Sequence, residues 1–311
     1  MPSLVLGTTL IGPNNETFKV TDFLGQGAFG EVYRAVGQLS GSVVAVKIIP
    51  IGTLDSDESK RALLNEVKAA EQIKHPNVVE VLFVNDGIES AIGPYVVMEY
   101  VSGGTLAKLL RVQGQSGDQI SLKRALEIMM NIAQGAKAIN EKIIHRDIKP
   151  DNILIEGNTF KIGDFGISKF VDENTRLHTF KGSQHIHYMA PEGWQQLPNT
   201  FKLDVYSVGL VFYQILTLQH PLRAKVNDPS SFQDWETAHL FEQCPDVRTI
   251  RPDAPTSLAQ LLSRMVSKRP ADRPSWDDVL EVLSRPEAAG PSQNASIRRR
   301  GRSRRCSQTT N

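Results

Sequence analysis

The stretch HRDIKPDN, His145 to Asn152, is followed by DFG from Asp164 to Gly166. Together they supply a carboxylate, a lysine and two metal-seeking side chains at the spacings that phosphoryl transfer from ATP needs. That reaction asks little covalent chemistry of a protein, so catalysis reduces to holding ATP, two magnesium ions and a hydroxyl in line. Each part then has a residue. Asp147 is expected to accept the proton of the attacking hydroxyl and Lys149 to neutralise the moving phosphoryl. Asn152 would hold one magnesium, and Asp164 would bridge magnesium to the β- and γ-phosphates.

Working outward, GQGAFGEV spans Gly25 to Val32, VAVK ends at Lys47, YMAPE spans Tyr188 to Glu192, DVYSVG begins at Asp204 and ADRPS runs from Ala271 to Ser275. A lone G-x-G-x-x-G also opens dinucleotide-binding folds. Here Val32 and Tyr33 continue it as a strand, and no acidic residue follows at the ribose-binding offset. On these motifs, in this order, residues 18–285 resemble the eukaryotic-type (Hanks-type) serine/threonine protein kinase family.

The resemblance implies an α+β, two-lobed kinase fold with a β-rich small lobe (18–97), a hinge (98–104) and an α-helical large lobe (105–285). Residues 1–17 become a lead-in and 286–311 a tail. Gly25, Gln26, Gly27, Ala28, Phe29 and Gly30 become a phosphate loop, whose glycines admit phosphates that any Cβ would obstruct. Adenine is expected between Val32, Ala45 and Leu154, facing backbone groups of Glu99 and Val101, with Met98 guarding the deeper pocket. Lys47 and Glu66 are expected to form the ion pair that orients the lysine toward the α- and β-phosphates. The cofactors implied are ATP and Mg2+, with Mn2+ as a substitute.

Lys149 and an expected buried pair between Glu192 and Arg273 point to protein substrates, and Lys149 to serine and threonine acceptors. Arg146 is expected to bind a phosphate on the activation segment, with Thr179 as first candidate and Thr175 as second. Ser183 is expected to contact the catalytic aspartate and lysine. Autophosphorylation in trans would involve a transient homodimer. The alternative is a pseudokinase, a scaffold that binds nucleotide without transferring phosphate, although it would be free to lose one of the residues all present here.

Three departures from the family pattern stand out. QHIH, between Ser183 and Tyr188, is longer than usual and alters the surface that receives the residue after the phosphoacceptor. His185 and His187 lack a carboxylate or cysteine at ligand spacing and read as solvated or substrate-facing imidazoles. Ala70 replaces a larger apolar residue. Thr105 and Gln214 stand where acidic residues would favour basic substrates, so a strongly basic consensus is not expected, though Asp151 offers one site for a cation.

The 311 residues, 40% apolar, suffice for one large core. Cys244 and Cys306 form neither a disulfide framework nor a zinc pattern, which suits a reducing compartment. No leader or transmembrane segment is read, and the expected location is cytoplasmic, with nuclear import left open. Residues 60–74 read as an amphipathic helix, 111–119 as an exposed loop, 122–140 as a helix, and 205–218 as a buried helix. Six tail arginines against Glu287 give residues 286–311 a charge of +5, leaving −4 on the rest. Non-specific polyanion contact through this tail is one reading and a solvated end the other.

Overall fold

The computed structural model describes residues 4–27, 30–49, 57–87, 92–164 and 184–285. Ala28, Phe29, Thr175, Thr179, Ser183 and the arginine-rich tail fall outside them.

Among the described residues the small lobe is built on a six-stranded antiparallel sheet in the order β1-β2-β3-β4-β6-β5. Its strands are β1 (Thr9–Ile11), β2 (Thr17–Gly27), β3 (Gly30–Gly37), β4 (Val43–Ile48), β5 (Val81–Asn85) and β6 (Tyr95–Glu99). Alternation sets the register: Tyr33 and Ala35 of β3 point into the core while their neighbours stay half-buried. Register shifts in β2, at Val20/Asp22 and Phe23/Gly25, bend the strand. The sheet curls enough for the Tyr95 hydroxyl on β6 to donate to the Ile11 carbonyl on β1, at 2.6 Å. Residues of the expected lead-in take part, since β1 pairs with β2 and Leu4 and Leu10 are buried with Phe18, Tyr33 and Tyr95.

Helix α1 (Asp57–Ala70) packs Val67 and Ala70 into the main core, where Ile73 joins them. That is the apolar face expected from the sequence. Two bonds tie the lobes together behind the cleft: Val79 N–H donates to Ile162 O at 2.8 Å, and Ile162 N–H to Asn77 O at 2.9 Å.

The large lobe carries α2 (Leu106–Ser116), α3 (Leu122–Asn140), the hairpin β7 (Ile153–Glu156) and β8 (Thr159–Ile162), α4 (Pro191–Trp194), α5 (Lys202–Thr217), α6 (Phe232–Phe241), α7 (Thr256–Met265) and α8 (Trp276–Ser284). The exposed loop expected at 111–119 is helical through Ser116. The Thr105 hydroxyl caps its start by accepting from Lys108 N–H, Leu106 and Leu110 bury one stripe, and Gly117 ends it at φ 77°. Burial and two caps outweigh the cost of about 1 kcal/mol for Gly114 inside the helix. Helix α5 is buried at every position except Lys202 and Gln214, as its continuous apolar run demands. No helix among the described residues is long and apolar enough to cross a membrane.

Candidate active site

The catalytic loop owes its shape to one buried carboxylate. Asp204, in the first turn of α5, accepts the backbone N–H groups of His145 and Arg146, each at 2.8 Å, and the Asn140 amide at 2.6 Å. Arg146 sits at φ 67° and Asp164 at φ 66°, left-handed conformations that cost a non-glycine residue of order 1 kcal/mol or more and need such external fixing. His145 is wholly buried. Its Nδ1 accepts the Asp147 N–H at 3.2 Å, so the ring proton sits on Nε2 and is donated to Gly163 O at 2.9 Å. This imidazole clamps the loop bearing Asp147 to the segment bearing Asp164.

Asp147 itself is buried. Its Oδ2 accepts from Lys149 Nζ at 3.0 Å and from Asn152 Nδ2 at 2.9 Å, and Asn152 Nδ2 also reaches Asp147 O at 2.8 Å. Those bonds fix the amide orientation, leaving the Asn152 oxygen as a potential metal donor. Asp151, next in the chain, has its carboxyl pushed above the ordinary range by burial, with the nearby Lys149 charge pulling the other way.

One expected pairing is not formed. Glu66 binds Arg146 Nη1 instead of Lys47, and Lys47 Nζ binds the Asp164 carboxylate. The reason is geometric: α1 presents Glu66 to the catalytic loop, where half-buried Arg146 is close, while Asp164 offers Lys47 its own carboxylate. The Arg146 Nε is buried with no hydrogen-bond partner, so this guanidinium keeps an unused donor.

At the other end of the cleft, Met98 pairs in register with Ala45, and Val32 with Lys47. Val32, Met98, Val101 and Leu154 are half-buried and Ala45 is buried. Glu99 carries a role the sequence did not reveal: its carboxylate accepts from Lys161 at 2.7 and 2.9 Å and from Glu80 N–H at 2.9 Å, anchoring the hinge strand to β8. Beside it, a Cβ on Gly103 would lie 2.2 Å from Ile155 O, so the backbones of hinge and β7 touch only because that residue is glycine. Gly25 differs, for a Cβ there would meet nothing within 4 Å. Packing within the protein gives no reason for that glycine, whereas a phosphate against the loop does.

The expected Glu192–Arg273 pair is present, bidentate at 2.5 and 2.8 Å and almost fully buried. His187 is half-buried, with its ring stacked on Trp235. No group of three or more His, Cys, Asp or Glu side chains among the described residues could hold a metal alone. Asn152 and Asp164 contribute oxygen donors, which suit Mg2+ where substrate phosphates complete the coordination.

Residues 18–283 match the family model described as protein kinase domain. A probable serine/threonine-protein kinase of Clostridium acetobutylicum is 30% identical over 90% of this chain and 41% of its own length. The serine/threonine-protein kinase PrkC of Bacillus subtilis is 32% identical over 82% of this chain and 38% of its own, and human Nek5 is 33% identical over 86% and 36%. The chain thus spans about two fifths of the length of these relatives. Among solved structures, the Mycobacterium tuberculosis PknI kinase domain superposes with a TM-score of 0.67 over 91% of this chain and all of that one, at 22% identity. By its two-lobed fold, its cleft and these similarities, the chain belongs to the Hanks-type serine/threonine protein kinase family.

Proposed function

We propose that this chain transfers the γ-phosphoryl group of ATP to serine and threonine hydroxyls of proteins. The observation that carries the reading is the Asp147 carboxylate, held by Lys149 and Asn152, with His145 clamping its loop to Gly163, the neighbour of Asp164. Asp147 receives the proton of the attacking hydroxyl, and Lys149 meets the charge that develops on the transferring group. Lys47 positions the phosphates and excludes water with the glycine loop. Asn152 and Asp164 would hold Mg2+, which when bound would neutralise phosphate charge. The Glu192–Arg273 pair fixes the segment on which a protein substrate rests.

Arg146 supports regulation by phosphate on the activation segment, with Thr179 and Thr175 as acceptors, because its buried Nε has a donor to spare. Autophosphorylation would proceed in trans, through a transient dimer. The tail of residues 286–311 would add non-specific polyanion contact.

The test is phosphosite mapping by mass spectrometry after incubation with Mg-ATP and casein, beside Asp147→Asn. Phosphate on casein from the parent alone is the expected result, with a loss of roughly 10²-fold or more in the variant. ATP binding without transfer by the parent, phosphorylated or not, would mark a nucleotide-binding scaffold instead.

A further inference from the structure

Residues 184–188 form a 3-10 turn that leads into α4, and the turn rests on a wall of rings. The His187 ring stacks on Trp235 of α6 with centroids 4.2 Å apart. Its carbonyl accepts from His220 Nε2 at 2.8 Å, and His220 stands edge-on to both Trp235 and Tyr188 at 5.2 Å. Behind them His239, wholly buried, shares a hydrogen bond with the Tyr206 hydroxyl at 3.0 Å. Burial keeps all three imidazoles neutral, holding His187 down at about 4 and His220 at about 3. The His187 ring and the two imidazoles behind it are therefore an uncharged surface.

Beside that surface stands a cation that is not in an ion pair among the described residues. Arg223 N–H donates to His220 O at 3.1 Å, which puts this arginine one short turn from the imidazole that holds His187. Arg223 is exposed, spends Nη1 on Val226 O, and forms no ion pair within 4 Å among the described residues. Its charge and that of Lys149 both bear on the His187 ring. The acids in the neighbourhood are committed elsewhere. Asp147 is held by Lys149 and Asn152, Glu192 by Arg273, and Glu242 faces Lys225. Asp151 is half-buried near Lys149, and exposed Asp228 accepts from Ser230. A cation brought to His187 would meet Arg223; a carboxylate would find the remaining Arg223 donors, Nε and Nη2, beside the His187 ring.

We propose that His187, stacked on Trp235 and edged by Arg223, forms a subsite for a carboxylate side chain flanking the acceptor serine or threonine. This kinase then selects acidic over basic sequences, an inference that rests on the protein kinase reading. Arg223 is the specificity determinant. His187 and Trp235 are positioning residues.

The experiment uses the full chain, Mg-ATP, casein, and serine peptides of uncharged background carrying Glu, Ala or Lys at each of the two positions on either side of the acceptor. At one or more positions Glu should exceed Lys by about tenfold in kcat/KM, carried mainly by KM. Arg223→Gln should bring the ratio close to one with KM for ATP unchanged, and Arg223→Glu should invert it. Trp235→Ala should raise KM for every peptide, while His187→Phe, which keeps the stack, should retain the Glu preference. Casein phosphorylation with no Glu–Lys discrimination at any position, or a ratio that Arg223→Gln leaves intact, overturns the subsite alone. Absence of transfer to casein and to every peptide overturns the kinase reading and the subsite with it.

Discussion

Glu66 of α1 is bound to Arg146 of the catalytic loop, so the lysine that family resemblance assigns to Glu66 is left to Asp164. Both side chains of the Glu66–Arg146 pair are only 12% exposed, which makes the interaction stronger than a surface salt bridge and its loss costly. In a double-mutant cycle on urea unfolding, Arg146→Met and Glu66→Gln should couple by about 1–3 kcal/mol. On a chain phosphorylated in its activation segment, the phosphate should claim Arg146 and that coupling should fall toward zero. A new coupling between Lys47→Met and Glu66→Gln should then appear. A cycle with no coupling in the unphosphorylated chain removes the basis for this exchange.

Arg273 and Glu192 make another buried pair, and among the described residues neither partner forms an ion pair with a second charge. Arg273 also donates to Ser267 O at 2.9 Å and Lys202 O at 2.8 Å, so it knits three segments. Arg273→Ala strands a buried carboxylate and should cost about 3–5 kcal/mol by chemical denaturation. Arg273→Lys should recover only part of this, because an ammonium cannot reproduce the bidentate fork. A loss below about 1 kcal/mol for the alanine variant contradicts the account.

Helices α3 and α5 were legible in the sequence because each rests on a local signal, an apolar period or a continuous apolar run, whereas the Glu192–Arg273 pair, 81 residues apart, came from the family resemblance and β1 was read as part of a lead-in. Arg111 to Ser116 was misread because glycine, glutamine and serine are loop-favouring on average, while the buried Leu106 and Leu110 and the Thr105 cap decide the outcome. The partner of Glu66 was not legible, since two cations lie within reach and only the angle of α1 chooses between them. Asp204 was quoted in a motif, but three-way anchoring of the catalytic loop emerges only when α3, α5 and the loop converge. The ring wall was hidden for the same reason. His187, His220, Trp235 and His239 are scattered over more than fifty residues of sequence.

Gly135 sets two known effects against each other. Alanine is favoured over glycine inside a helix by about 1 kcal/mol, and Gly135 lies within α3. A Cβ there would sit 2.4 Å from Asn77 O, a backbone atom whose own residue is fixed by bonds to Asn131 at 2.9 Å and Phe160 O at 3.0 Å. That carbonyl also accepts Ile162 N–H, so it cannot retreat without breaking the tie between the lobes. Overpacking should win, and Gly135→Ala should destabilise by about 1–3 kcal/mol net, read from the urea midpoint. A stabilised variant would show that the helix can shift away from the Asn77 loop.

The buried imidazoles give stability a pH dependence whose sign is fixed. His220 is half-buried and packed against Tyr188, Trp235 and His239; it is held at about 3 in the folded protein, against an ordinary value of 6.5. Burial is the main cause, opposed by the bond to His187 O and reinforced by the neighbouring His187 ring. Between these two values the unfolded chain carries a proton that the folded chain refuses. The contribution is therefore fully present above pH 6.5 and is lost progressively as pH falls toward 3. One such ring adds a slope of about 1.4 kcal/mol per pH unit, and His239, held low by burial with Lys268 nearby, adds in the same direction. Replacing His220 by glutamine keeps an amide donor for the His187 carbonyl but removes the titrating group. Urea unfolding at pH 5, 5.5, 6 and 7 should give a steep decline in stability for the parent as the solution is acidified. The decline should be shallower by close to one proton for His220→Gln. Parallel declines would mean that His220 is already charged in the folded protein and that the wall behind residues 184–188 is not the neutral surface its burial requires.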